Sequence, residues 1–154
     1  NGTIDGQDDF DPSKTVVGYT PGTIWQTTVE GWAADGKIKE ARATGDQTES
    51  IVALQNGKID AFLTDSPVVE NLMKFQPETL KGLKLCSNYK DTEAEIGRIA
   101  PSVKFGNEDF MKDINKVVAE MRDEGVLDQI YEKYGLDPKL HAITNDQKDN
   151  GLNK

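Results

Sequence analysis

Three short polar segments of the sequence carry residue types that could hold a small charged ligand. The first, residues 20–23 (TPGT), follows a β-rich run and precedes a helical pattern. Gly22 would let the backbone approach a ligand closely, and the free N–H groups of a first helical turn favour an anion such as a carboxylate. The alternative is an ordinary β-to-α turn, in which Thr20 is part of the turn and Thr23 only caps its helix.

Asp65 is the second candidate. It follows the strand pattern of residues 59–64 and precedes Ser66-Pro67, a pair that is typical of a helix start. A partly enclosed carboxylate at this place could accept a charge-assisted hydrogen bond from an ammonium group. The alternative is an acidic residue that only complements the dipole of the following helix.

The third segment is residues 45–48 (GDQT), where the side chains of Gln47 and Thr48 could line the same rim. The alternative here is a helix start, because Asp46 and Glu49 have capping-box spacing, as Thr23 and Gln26 also have. In that interpretation Gln47 and Thr48 are solvated residues of a first helical turn.

Other chemistry has little support in the sequence. The motifs G-x-S-x-G, H-E-x-x-H and G-x-x-x-x-G-K-[ST] do not occur. Cys86 and His141 are single residues of their types, so neither has a partner to complete a metal site or a nucleophilic pair.

Trp25 and Trp32 share one helix face and indicate packing, with contact to a ligand as the alternative for Trp25. The acidic side chain of Glu30 is interpreted as a solvated helix charge. We therefore predict no enzyme, no cofactor and no metal.

The composition and net charge of the chain exclude some classes of binding partner. The chain has 154 residues and a net charge of −9, which disfavours nucleic acid and anionic membrane surfaces as partners. No apolar run reaches the roughly 18 residues that a membrane-spanning helix needs. Acidity otherwise predicts solubility and no particular partner.

Strand and helix patterns alternate along the chain and position these segments. Short β-rich runs occur at residues 15–19, 38–43, 59–64, 83–87 and 95–100, and helical patterns follow the first three. The last third carries an amphipathic pattern from Phe110 to Met121, then Gly125, then a second pattern from Leu127 to Tyr134. The sequence predicts an α/β fold with a mostly parallel sheet flanked by helices and a C-terminal helix pair. In such sheets ligands bind at the carboxyl ends of the strands.

The order of these pieces closely resembles the bacterial extracellular solute-binding proteins of family 3, the amino-acid receptors of ABC importers. Residues 16–23 (VVGYTPGT), 53–67 (ALQNGKIDAFLTDSP) and 117–135 (VVAEMRDEGVLDQIYEKYG) carry the resemblance, which spans about residues 15–136. It implies a two-lobed clamp of the type 2 periplasmic-binding fold. In that fold Gly22 and Thr23 would offer N–H groups to the α-carboxylate of an amino acid, and Asp65 would bind its α-ammonium. Gln47 or Thr48 would contact the ligand's side chain.

The resemblance also implies a division of the chain and a missing part. Residues 1–14 would be a linker, 15–92 the ligand-binding lobe, 93–136 a return strand and helix pair that belong to the first lobe, and 137–154 a polar tail. Most of the first lobe, with an arginine for the ligand carboxylate, precedes this point in family members; Arg42, Arg98 and Arg122 do not lie where the motif needs one. The apolar helix faces would then pack on their own lobe, or exchange between two copies in a homodimer.

Three functions fit the resemblance. The first is the extracytoplasmic substrate-binding component of an amino-acid ABC importer, periplasmic or a cell-surface lipoprotein, working with a membrane permease. The second is the extracytoplasmic amino-acid-sensing domain of a membrane receptor. The third is a cyclohexadienyl-dehydratase-like enzyme, for which no general acid other than Asp65 is available in the sequence.

Overall fold

The computed structural model describes residues 3–90 and 100–141. They fall into two compact units that divide at residue 97. The first unit contains β1 (Val16–Tyr19), α1 (Ile24–Ala34), β2 (Glu40–Ala43), α2 (Gln47–Gln55), β3 (Ala61–Phe62) and α3 (Ser66–Phe75), with 3₁₀ turns at Gln7–Asp9 and Pro77–Leu80. The second contains α4 (Glu108–Asp123), α5 (Val126–Lys133) and α6 (Pro138–His141).

The sheet of the first unit is parallel, with the strand order β2-β1-β3. β1 pairs with β2 from Val16 opposite Glu40 to Tyr19 opposite Ala43, and with β3 at Val17 and Gly18. The α/β class and the parallel sheet predicted from the sequence are therefore confirmed. The third strand is shorter than predicted, since only Ala61 and Phe62 of residues 59–64 pair as a strand, and both are half-buried rather than fully enclosed.

The core lies on both faces of β1 because successive side chains of a strand point to opposite sides. Val17 and Tyr19 pack with Val29 of α1 and with Ile38 on one face. Val16 packs with Ala53 of α2 and with Ile59 on the other face. The central strand is thus covered by a helix on each side, which holds its carboxyl end in place.

Two helix starts differ in how well the sequence predicts them. At α2 the Asp46 side chain accepts a hydrogen bond from the Glu49 N–H at 2.8 Å, so Asp46 caps the helix as predicted, but the Glu49 side chain accepts from the Gly45 N–H instead of the Asp46 N–H. At α1 the predicted capping box is wrong. The Thr23 hydroxyl donates to the Thr20 carbonyl at 2.7 Å, and the Gln26 side chain accepts from the Gly22 N–H instead of the Thr23 N–H.

Residues 83–87 were predicted as a strand, and this prediction is wrong. They are irregular, and Leu85 is 48% exposed. Their polar groups are bonded to the N-terminal segment instead: Asp5 accepts hydrogen bonds from Ser87 Oγ at 2.6 Å and Asn88 Nδ2 at 3.0 Å, and forms an ion pair with Lys84 at 3.0 Å. The half-buried Cys86 lies near the Ile4 carbonyl, and burial raises the pKa of its thiol.

The N-terminal segment predicted as a solvated linker is also held by aromatic contacts. The ring centroids of Phe10 and Trp32 are 5.2 Å apart, and those of Trp32 and Tyr89 are 6.5 Å apart. The role of residues 1–14 as a linker between lobes stays a prediction. The strand predicted at residues 95–100 lies outside the described residues except for Ala100, which is not in a strand.

The second unit is a helix pair, as predicted, followed by one short helix. Gly125 joins α4 to α5 in the left-handed conformation, with φ 72°, which glycine adopts without strain. α6 occupies the beginning of the predicted polar tail, whose residues from 142 onward lie outside the described part of the chain. Among the residues that the structure describes, no helix has the length and apolarity needed to cross a membrane.

Candidate functional site

The sheet brings the three predicted polar segments to one edge. β2, β1 and β3 are parallel neighbours, so the residues that follow Ala43, Tyr19 and Phe62 all leave the sheet at its carboxyl end. Thr44 ties two of these ends together, because its N–H and its hydroxyl donate to the Tyr19 carbonyl at 2.9 and 3.0 Å. The buried Thr44 was not found from the sequence, where a threonine after a weak strand carries no distinguishing signal.

The turn at Gly22 has the backbone form that close approach of a ligand requires. Gly22 has φ +79°, and nothing lies within 4 Å of the position that a Cβ atom would take. Its N–H donates to Gln26 Oε1 at 3.0 Å, while the Thr23 N–H makes a longer bond of 3.4 Å to the Thr20 carbonyl. The predicted anion donors thus have partners within the protein, and a carboxylate that bound here would replace the Gln26 carboxamide.

Gln26 belongs to a hydrogen-bond chain that runs back to the sheet. Its Nε2 donates to Glu30 Oε1 at 3.0 Å, and the Tyr19 hydroxyl donates to the same oxygen at 2.6 Å. The bond to Glu30, with burial, raises the pKa of Tyr19. Glu30 is exposed on α1, in agreement with its interpretation as a solvated helix charge, and its carboxylate also holds Gln26 and the last residue of β1.

Asp65 stands immediately before α3, and its side chain is exposed. Its Oδ1 accepts a hydrogen bond from the indole Nε1 of Trp25 at 3.0 Å. The carboxylate caps no backbone N–H of α3, although complementing the dipole of α3 requires no such bond. Within the described residues, no hydrogen bond is recorded for Oδ2. One oxygen of the exposed carboxylate is therefore open to a donor, and the ammonium-binding role of Asp65 stays a prediction.

Gln47 and Thr48 occupy the first turn of α2, after the carboxyl end of β2. Gln47 is half-buried and Thr48 is exposed. In the part of the chain that the structure describes, neither side chain is hydrogen bonded to Thr23 or to Asp65. Their position at the edge agrees with the predicted rim, and their contact with a ligand stays a prediction.

Arg42 is paired with groups of the protein and is not hydrogen bonded to the Gly22 turn or to Asp65 in the described structure. Arg42 donates to both oxygens of Glu40, at 2.7 and 2.8 Å, and to the Lys58 carbonyl. This pairing lowers the pKa of Glu40. Across residues 3–90 and 100–141, no group of three or more His, Cys, Asp or Glu side chains is arranged to hold a metal ion.

A parallel sheet whose carboxyl edge presents backbone N–H groups and an exposed carboxylate is the arrangement of an α/β domain that binds a small molecule. The family described as bacterial extracellular solute-binding proteins, family 3, matches residues 13–137. The chain belongs to this family, which confirms the resemblance seen in the sequence.

Proteins that are similar in sequence or structure to this chain have names that describe amino-acid binding. A probable histidine-binding protein of Campylobacter jejuni is 25% identical over 137 residues, covering 89% of this chain and 49% of that protein. The L-cystine-binding protein TcyJ of Escherichia coli K12 is 28% identical over 134 residues, covering 86% and 46%. A solved structure described as an ancestral arginine-binding protein bound to glutamine matches with a TM-score of 0.60 and 26% identity, over 87% of this chain and 55% of that one. The chain thus spans about half the length of these curated relatives.

Proposed function

We propose that this chain is part of the substrate-binding component of an amino-acid ABC importer and binds a polar or charged amino acid without turning it over. The observation that carries the proposal is the exposed Asp65 carboxylate at the carboxyl edge of the sheet, beside the strand that leads into the Gly22 turn. Membership of the solute-binding family supports it, as do the histidine-, cystine- and arginine-binding proteins that the chain resembles.

The two charged ends of an amino acid match the two features of this edge. The α-carboxylate would accept hydrogen bonds from the N–H groups of Gly22 and Thr23, at the positive end of the α1 dipole. The α-ammonium would donate to Asp65 in a charge-assisted hydrogen bond. Gln47 or Thr48 would contact the side chain of the ligand.

The same proposal includes a place and a partner. The protein would act outside the cytoplasm, in the periplasm or as a cell-surface lipoprotein, and would deliver its ligand to a membrane permease. We also propose weak binding by this chain alone. Half of the relatives' length supplies one side of a cleft, and affinity falls when contacts from a second side are absent.

A screen of amino acids tests the function. Thermal shift against the twenty common amino acids and L-cystine, at millimolar concentrations, should identify a ligand whose dissociation constant calorimetry then measures. Asp65→Ala should weaken that ligand about 10- to 100-fold, because a hydrogen bond to a charged group is worth ~1.5–3 kcal/mol.

Asp35→Ala is the matched control, since Asp35 is an exposed aspartate at the other end of α1 and pairs only with Lys37 in the described structure. Its affinity should equal that of the wild type. Binding that survives Asp65→Ala within a few-fold would remove the ammonium role from Asp65. The absence of any amino-acid ligand would remove the function.

A further inference from the structure

We infer that Trp25 is a positioning residue for the ammonium-binding carboxylate: its indole N–H holds Asp65 so that one carboxylate oxygen faces the ligand. This inference deepens the proposed function and rests on it. Trp25 Nε1 lies 3.0 Å from Asp65 Oδ1, although the two residues are 40 positions apart in the sequence. The contact joins the β1–α1 segment to the β3–α3 segment.

The sheet explains why these two residues meet. β1 and β3 are paired neighbours, so the segments that follow them lie side by side at the carboxyl edge. Trp25 is the second residue of α1, and Asp65 immediately precedes α3. A side chain as long as tryptophan, placed in the first turn of one helix, can therefore reach the residue before the next helix.

Burial makes the indole a fixed donor. Trp25 is 7% exposed and Val29 is fully buried, and residues four apart share one face of a helix, so the Trp25 ring is held in the core face of α1. The indole N–H can only donate, and a buried donor needs an acceptor. Asp65 supplies that acceptor, which gives Trp25 a single orientation.

The effect on Asp65 is preorganisation. An exposed aspartate side chain samples several rotamers, and a ligand that binds it must fix one of them at a cost in entropy. The bond from Trp25 fixes Oδ1 before the ligand arrives. No hydrogen bond to Oδ2 is recorded among the described residues, so that oxygen remains for a primary ammonium, which has three N–H donors.

Substitution of the two tryptophans tests the inference with a matched pair. Trp25→Phe removes the donor and keeps an aromatic ring, and Trp32→Phe makes the same change where the ring contacts Phe10 and Tyr89. The probes are L-histidine, L-arginine and L-glutamine. Trp25→Phe should weaken binding of the best amino-acid ligand about 3- to 10-fold, the cost of fixing one free side chain on binding, and Trp32→Phe should leave the affinity unchanged.

Two further readouts separate positioning from general destabilisation. The des-amino analogue of the same amino acid lacks the ammonium, so its affinity should be equal in wild type and Trp25→Phe. In an Asp65→Asn background the charge is absent, so Trp25→Phe should cost less than twofold. A loss that is equal for the analogue, or equal in the Asp65→Asn background, would overturn the inference.

The contact itself has a spectroscopic signature. The spectrum of ¹⁵N-labelled protein should show two indole N–H resonances, and Asp65→Asn should shift that of Trp25 while that of Trp32 stays in place. An unshifted Trp25 resonance would overturn the inference. If Trp25→Phe does not fold, benzothienylalanine at position 25, which has sulphur in place of the N–H, keeps the shape and replaces that variant.

The outcomes distinguish the inference from the function beneath it. If no amino acid binds the wild-type chain, both the proposed function and the inference are overturned. If an amino acid binds and Asp65→Ala weakens its binding about 10-fold or more, but Trp25→Phe matches the wild type, only the inference is overturned.

Discussion

At the scale of single residues, the Gly22 amide is already occupied by the Gln26 carboxamide. The candidate residues Gly22 and Asp65 follow from the sequence, because a glycine turn and an acid after a buried run are recognisable one at a time. The bond from Gly22 to Gln26 does not follow, because T-x-x-Q spacing equally allows Gln26 to reach the Thr23 amide. Which amide it takes depends on the backbone of the turn.

This bond predicts competition between Gln26 and the ligand. A carboxylate that binds the Gly22 N–H must first displace Gln26, so the free protein is stabilised by a contact that the complex lacks. Gln26→Ala should therefore tighten amino-acid binding about 2- to 10-fold, the worth of ~0.5–1.5 kcal/mol for one net hydrogen bond. Calorimetry with the amino acid identified in the screen measures this change in affinity.

Thr27→Ala is the control for this prediction, because Thr27 is the exposed neighbour of Gln26 on the same helix. It should leave the affinity unchanged. Weaker binding by Gln26→Ala would mean that Gln26 supports the ligand site instead of competing for it.

At the scale of elements, the apolar runs of the sequence predicted strands correctly where a partner strand exists. β1 and β2 were predicted close to their observed bounds, because each carries a β-rich run that pairs in the sheet. Residues 83–87 carry a similar run but lie beside the N-terminal segment, whose Asp5 takes their N–H, hydroxyl and ammonium groups. An apolar, β-rich run forms a strand only if a neighbouring strand is available to pair with it. The sequence alone does not show whether such a neighbour exists.

The Asp5 contacts predict a pH dependence of stability. Hydrogen bonds from Ser87 and Lys84 lower the pKa of Asp5 from 3.8 to about 2. Above pH 3.8 the group is ionised in the folded and unfolded states, and its contribution to stability is complete. As the pH falls toward about 2, the unfolded chain takes up the proton first, so this contribution is lost.

Thermal unfolding between pH 5 and pH 2 tests this for Asp5→Asn against the wild type. The stability of the variant should fall less steeply over the lower part of that range. Asp8→Asn is the control, because Asp8 is exposed and has no recorded side-chain contact in the described structure. Parallel curves for wild type and Asp5→Asn would contradict the prediction.

At the scale of the whole molecule, the two units differ in how far they bury their own side chains. Where the structure describes burial, all buried residues belong to the first unit, and none of residues 100–139 is buried. On α4 and α5, Phe110, Val117 and Ile130 are between 40% and 59% exposed, and Tyr134, which follows α5, is 54% exposed. The amphipathic pattern predicted the helices, but periodicity shows which face is apolar and leaves open what covers it.

We expect these faces to drive self-association of the chain, as the homodimer hypothesis requires. Light scattering across a concentration series should show the mass rising toward twice that of the monomer, because apolar faces gain free energy when water is excluded from them. Val117→Lys should shift association to higher concentration, and Asn115→Lys, an exposed polar position on the same helix, should not. A monomer mass at every concentration would contradict the expectation.

The close packing around Gly18 has a consequence for how sequences of the first unit can diverge. Gly18 lies in the middle of the central strand, and a Cβ added there would stand 2.6 Å from Ile59 Cδ1. That terminal methyl is the group by which isoleucine exceeds valine. Alanine at position 18 should therefore be tolerated better where position 59 is valine, because the atom nearest to the added Cβ is then absent.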